Sequence, residues 1–398
     1  MRAHTSLLRR LGLSCVLVAL VGVASVAGSG VAVASFTSAP AASHSVATSS
    51  CFHRATVQSG TTTSTTNGLT IVTIASVNTA KAFLLFSTRH DSNRPVGSEV
   101  SGRIASATTL EFNRVTDESS PVTITIQWDV ILYNCGVTVQ RGSTSQNATI
   151  VDVSITAVNS IAAAFVTYSK TPAQTDGSWG DNDPQIAELT STTNLELRVD
   201  NINATSLHTI YWQVIEFTSP SLINVQKGTT SLTGGASSTT ATLGTSVNTA
   251  HTFVLASTRS TGTGTDIGSG LVRARLTNAT TITFDRSATN YDVTEIGWQA
   301  IELKDGSTVQ SGSATIASGT ASTTASLTAV TLARSSAFAS TQSGGGQNGG
   351  RSAYTADDVM GVASFTAALS STTQLTLTRV NTAAAADVSW FVVSWGFP

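Results

Sequence analysis

The residues best suited to chemistry in this 398-residue chain are acidic and clustered. Asp176, Asp181 and Asp183 place three carboxylates within the run Asp176-Gly-Ser-Trp179-Gly-Asp181-Asn-Asp183-Pro184. Carboxylates at that density suit a hard, oxygen-seeking ion such as calcium. Trp179, between them, offers an aromatic face on which a sugar ring can stack. The same run also reads as a solvated turn rich in Asp and Gly, and it lacks the full spacing and closing Glu of an EF-hand loop. A second polar run, His90-Asp91-Ser92-Asn93-Arg94-Pro95, supplies His90, Asp91, Asn93 and Arg94 as candidate ligand contacts.

Catalytic patterns are poor. No Gly-x-Ser-x-Gly elbow, His-Glu-x-x-His pair or P-loop occurs. Gly344 to Gly349 matches G-x-G-x-x-G, but it lies in a glycine tract of a β repeat with no amphipathic helix behind it. His208 enters an apolar strand and His251 a turn where an equivalent segment carries Lys81, so neither imidazole reads as a general base. The chain is therefore read as a non-enzyme with no catalytic residues and no cofactor other than calcium.

What positions these residues is a repeat. A Val-Gln-x-Gly opening recurs at Val57, Val139, Val225 and Val309, with spacings of 82, 86 and 84 residues. Each copy then carries a phenylalanine (Phe83, Phe165, Phe253, Phe338), an arginine (Arg114, Arg198, Arg286, Arg379) and a closing tryptophan (Trp128, Trp212, Trp298, Trp390) in the same order. Four markers repeated four times define a tandem array. The closing segment Val122-Thr-Ile124-Thr-Ile126-Gln-Trp128 alternates apolar and polar residues, the period of a half-buried strand. The expected fold is all-β: four tandem antiparallel β-sandwich repeats of about six strands each. Markers present in every copy are read as structural. The stretch after the phenylalanine strand differs in every copy, so ligand contacts are expected there, on the two runs named above.

The chain opens with Arg2, Arg9 and Arg10, the apolar run Leu13 to Ala27, and the small residues Val31-Ala32-Val33-Ala34-Ser35. That is the layout of a secretory signal peptide with cleavage after Ala34; an uncleaved anchor is the rival reading. Expected boundaries are 1–34 for the leader, 35–50 for a flexible lead-in, and 51–134, 135–220, 221–304 and 305–398 for the repeats. Cys51 and Cys135 flank the first repeat and are read as a disulfide of an oxidising compartment. By the chain-entropy model, such a loop is worth about 4 to 5 kcal/mol. With 21 Lys and Arg against 23 Asp and Glu, the net charge is −2. A chain so weakly charged lacks the cationic surface that a nucleic-acid binder needs.

The Val-Gln-Ser-Gly-Thr opening, the roughly 80-residue six-stranded unit and the closing pattern Ile296-Gly-Trp298-Gln-Ala300-Ile301 resemble the H-type lectin domain of snail agglutinins and discoidins. The resemblance implies a β-sandwich, trimer-like association and glycan binding, and it places no sugar-contacting residue on this chain. The expected function is a secreted, extracellular structural or adhesive surface component that associates with itself or with surface glycans and has no membrane span once the leader is gone. The alternative is a multivalent carbohydrate-binding module using the variable loop of each repeat.

Overall fold

Alternating apolar and polar residues, rich in Thr, Val and Ile, form strands throughout, because a pleated chain sends successive side chains to opposite faces. The computed structural model describes residues 52–397 apart from 93, 116–121, 175, 178, 203–206, 261–269, 288–293 and 344–359. The leader, the lead-in, Cys51 and Asn93 lie outside the described residues. Repeat 1 comprises β1 (Ala55–Ser64), β2 (Leu69–Thr73), β3 (Ala82–Arg89), β4 (Ser101–Ser106), β5 (Thr109–Asn113) and β6 (Ile124–Tyr133). Repeat 2 follows with β7 (Val137–Ser145), β8 (Ile150–Ser154), β9 (Ala164–Thr171), β10 (Ile186–Ser191), β11 (Asn194–Arg198) and β12 (Thr209–Phe217). Repeat 3 has β13 (Ile223–Leu232), β14 (Ser238–Thr242), β15 (Thr252–Ser260), β16 (Arg273–Asn278), β17 (Thr281–Asp285) and β18 (Thr294–Leu303). Repeat 4 has β19 (Thr308–Ile316), β20 (Ser322–Ser326), β21 (Ser335–Ser343), β22 (Thr366–Ser371), β23 (Gln374–Thr378) and β24 (Ala386–Ser394). Each repeat pairs its strands into two three-stranded antiparallel sheets, β1-β6-β3 with β2-β5-β4 in repeat 1 and the same order in the others. The fold is all-β, four tandem sandwiches of six strands, as the sequence predicts.

The Val-Gln-x-Gly motif is a three-part structural device. Val57 and its counterparts are buried in the core. Gln58 grips the backbone after β2: it accepts from Ala75 N at 2.8 Å and donates to Ala75 O at 3.1 Å. Gln140, Gln226 and Gln310 make the same paired bonds to Thr156, Thr245 and Thr328. The glycine faces the closing tryptophan across the sheet, as in Gly60 with Trp128 and Gly142 with Trp212. A Cβ at Gly142 would stand 2.5 Å from Trp212 Cζ2, so only glycine lets the indole lie flat on its neighbour strand. Gly142→Ala is expected to cost about 1–3 kcal/mol through overpacking and to shift the tryptophan emission; an unchanged melting curve would show that the indole moves aside freely.

The four sandwiches close on one another. The short helical turn Thr79–Lys81 of repeat 1 packs on β7, Ile161–Ala163 on β13, Thr249–His251 on β19, and Leu332–Arg334 of repeat 4 returns to β1. Gln213 accepts from Leu84 N (2.9 Å) and donates to Leu84 O (2.8 Å), tying repeat 2 to repeat 1. Gln299 does the same with Val166 of repeat 2 at 2.9 and 3.0 Å. Along the common axis, Phe83, Phe165, Phe253 and Trp395 form a closed cycle of edge-to-face rings, with centroid separations of 6.0, 5.9, 5.8 and 5.3 Å. Such geometry sets the positive edge of one ring on the negative face of the next.

Two sequence markers fall out of register. Phe83, Phe165 and Phe253 pair with Ile131, Ile215 and Ile301, but the residue paired with the equivalent Val393 is Ser336, not Phe338. Trp395 supplies the missing ring, and its Nε1 donates to Ser336 Oγ at 2.8 Å. Phe338 lies two residues on and stacks on Phe391. Arg114, Arg286 and Arg379 are fully buried, and each guanidinium is bonded to backbone carbonyls at one end of its own sandwich. Arg198 is instead the last residue of β11, so the buried position in repeat 2 belongs to Val199. Repeat 2 therefore lacks the cation that fills this end of the others. Cys135 is disulfide-bonded.

Candidate functional site

The ends of β3, β9, β15 and β21, one strand from each repeat, frame a cavity of about 490 Å³. Cross-strand pairing with the closing tryptophan sets the equivalence: Phe86, Tyr168, Ala256 and Ala339 each face a Trp. The next residue is serine in all four copies, Ser87, Ser169, Ser257 and Ser340, and all four line the cavity. Three of these serines accept from the backbone of the preceding repeat, at Ala367 N (3.1 Å), Gly102 N (3.0 Å) and Ala274 N (2.9 Å). They stitch the ring together where it opens.

One wall departs from the repeat pattern. After the serine come Thr88, Thr258 and Thr341 in three copies, but Lys170 in repeat 2. Thr258 and Thr341 each donate to a loop carbonyl at 2.8 Å, and Lys170 Nζ keeps that bond, to Asp183 O. The ammonium also lies 3.0 Å from Glu99 Oε1 of repeat 1 and 3.9 Å from Asp183 Oδ1. Behind Asp183, the His208 Nε2 lies 3.8 Å from Asp183 Oδ1 and 3.6 Å from Asp176 Oδ2. Asn182 Nδ2 donates to Asp176 Oδ2 at 3.1 Å and lies 3.3 Å from His208 Nε2. Gly180 N donates to Asp183 Oδ2 at 2.7 Å. This network fills the end of the sandwich that an arginine fills elsewhere.

Burial governs the protonation of the group. Loss of water pushes the Glu99 carboxyl up to about 7 despite the pull of Lys170. Asp183 is raised well above the usual carboxylate range by burial, again against Lys170 and with Glu99 and Asp176 adding to the rise. Burial, and then Lys170, hold His208 down to about 2, so its ring is neutral. Glu99 and Asp183, the two carboxyls beside the Lys170 ammonium, both hold their protons more tightly than free carboxyls, since a buried negative charge is costly. Glu99, Asp183 and His208 present ligand atoms within 4.8 Å of one another and could coordinate a divalent cation.

The sequence-derived candidates divide. His90, Trp179 and Asp183 line the cavity. His90 is buried, with burial and then Arg114 lowering it to about 4. Trp179 is only 3% exposed, so its ring forms wall rather than an open platform for a sugar. Asp176 stands behind Asp183 and beside His208. Asp181 is half-buried and is not in the cluster of potential metal ligands among the described residues. Asp91 and Arg94 are exposed and join loops: Asn381 Nδ2 donates to Asp91 Oδ1 at 2.7 Å, and Arg94 Nε donates to Gly177 O at 3.3 Å. Sequence reasoning missed Glu99 and Lys170, and it read His208 as structural. For Lys170 the signal was present, a lysine in the threonine column of the Ser-Thr pattern. No protein-family model matches this chain, and no curated protein matches it.

Proposed function

We propose that this chain is a secreted, non-catalytic surface protein of adhesive type that holds its ligand in the axial cavity. The observation that carries this reading is convergence. The variable segments of repeats 1 and 2 contribute His90, Trp179 and Asp183 to one cavity with room for a ligand, as expected where a rigid scaffold presents its binding residues. Among the described residues no helix is long and apolar enough to cross a membrane. The side faces through which one repeat grips the next are used within the chain, so self-association through open-ended repeat contacts is not expected. Light scattering over a range of concentration should give one constant mass; steady growth into polymers would favour a filament or coat instead.

The ligand class we favour is a surface glycan, supported by the hydroxyl-bearing wall and by the resemblance of the repeats to H-type lectin domains. In this reading one cavity serves all four repeats, rather than each repeat having its own site. Binding to a printed array of neutral and acidic glycans should be lost in Ser257→Phe, which fills the cavity, while the melting temperature stays near that of the parent. Glycan binding that survives this substitution would move the site to the separate repeats.

A further inference from the structure

Four departures from the repeat pattern meet at one point. Lys170 replaces threonine; Asp183 stands where the other repeats have Ser98, Gly270 and Ala363; His208 stands where they have Ile124, Thr294 and Ala386; and Glu99 stands where they have Pro184, Leu271 and Ser364. Each of these groups is absent at the equivalent position of the other three repeats, so the sandwich does not require it. Asp183 Oδ1 is wholly buried and has no hydrogen-bond partner, although it faces both His208 Nε2 and Lys170 Nζ. A buried carboxyl oxygen without a hydrogen bond is left to be met by a proton or by a cation closer than the 3.9 Å of the Lys170 ammonium.

We propose that Glu99, Asp183 and His208 form a binding site for a divalent metal ion of the zinc class, and that this ion and the Lys170 ammonium are alternative occupants of one seat. The donor set decides the class. Calcium takes six to eight oxygen ligands, whereas a neutral imidazole nitrogen with two carboxylates is a set suited to zinc and its neighbours. Donor atoms around zinc stand roughly 3.4 Å apart at bonds near 2.1 Å. The 3.8 Å between His208 Nε2 and Asp183 Oδ1 is close to that edge, and Glu99 must close by a further ångström or so. The ammonium lies between the two carboxylates, so a divalent ion cannot enter until it leaves. Glu99, Lys170 and Asp183 all line the axial cavity, which gives the ion a path in and the displaced lysine a place to go. Entry releases any proton held by Glu99 or Asp183, because both must bind as carboxylates. The proposal goes beyond glycan recognition and does not depend on it, since the probe is the metal alone.

The test is calorimetry on chelator-stripped full-length protein with zinc chloride and, separately, calcium chloride. Lys170→Thr installs the residue the other three repeats carry, and it is expected to bind one zinc per chain at least tenfold more tightly than the parent. Adding Asp183→Asn or His208→Gln to it should abolish that binding, and calcium should bind more weakly than zinc throughout. Equal zinc affinity in parent and Lys170→Thr, tighter calcium binding, or zinc binding that survives His208→Gln would each overturn the proposal. The parent protein keeps the test independent of the variant's folding: cobalt(II) should give weak visible absorption bands that zinc displaces, and their absence at millimolar cobalt also overturns it.

Discussion

Replacing Asp129 with Asn is expected to raise the melting temperature at pH 8 by several degrees and to leave it nearly unchanged at pH 4. Asp129 follows Trp128 as Gln213 follows Trp212 and Gln299 follows Trp298. It occupies the same position at the joint where repeat 1 meets repeat 4, the one joint that no chain connection spans. The two glutamines each satisfy both a backbone N–H and a carbonyl of the preceding repeat. The Asp129 carboxyl accepts from Ser59 and from the Ala337 backbone, and as an anion it has no proton to give the Ala337 carbonyl. A cavity of about 260 Å³ opens beside it, lined among others by Val57, Leu332 and Ala337 and by no charged residue except Asp129 itself. Burial pushes its carboxyl up to about 7. A folded-state value raised above the ordinary one means that the native state holds the proton more tightly. The joint's contribution is therefore complete below about pH 4 and is lost as the pH rises through 7. A carboxyl held near 7 in the folded chain and near its ordinary value in the unfolded one corresponds to something on the order of 4 kcal/mol. Asn carries no charge and offers one donor and one acceptor, as the two glutamines do. Calorimetric melting from pH 4 to 8 checks this: the two proteins should diverge as the pH rises, and parallel curves would remove Asp129 as the cause.

The strands and the repeat were legible in the sequence because alternation and recurrence are one-dimensional signals. Val57, Gln58 and Gly60 recur because each repeat needs the same core contact, the same backbone clamp and the same space beneath a tryptophan. The closure of the ring was not legible. Spacing gives the number of units but not the angle between them, and that angle depends on side chains such as Gln213 meeting Leu84, which are 129 positions apart. Phe338 and Arg198 show a second limit. Both match the marker by type and approximate place, yet the roles they were given fall to Trp395 and to a network without arginine. Such compensation acts through space, so a composition pattern registers the residue and misplaces the job. The acidic run around Trp179 was found, but its partners Glu99 and His208 come from another repeat and another strand.

The aromatic cycle supplies the test of whether the four sandwiches stand or fall together. Phe253 is buried and touches three rings: Phe165 at 5.9 Å, Trp395 at 5.8 Å and Phe338 at 5.3 Å. Truncating a phenylalanine in a close-packed core removes its transfer energy and leaves a cavity, so Phe253→Ala is expected to cost about 3–5 kcal/mol. How the loss is distributed tells more than its size. Phe83 of repeat 1 does not pair with Phe253, but both rest on Trp395, which is held by repeat 4. A hole at Phe253 frees one face of the indole and so loosens the ring opposite. Hydrogen exchange should therefore show weaker protection in β3 of repeat 1 as well as in β15 of repeat 3, and unfolding should remain one transition. Loss confined to β13–β18 would mean that the repeats are stabilised separately, like beads, and that the shared axis contributes contact without cooperativity.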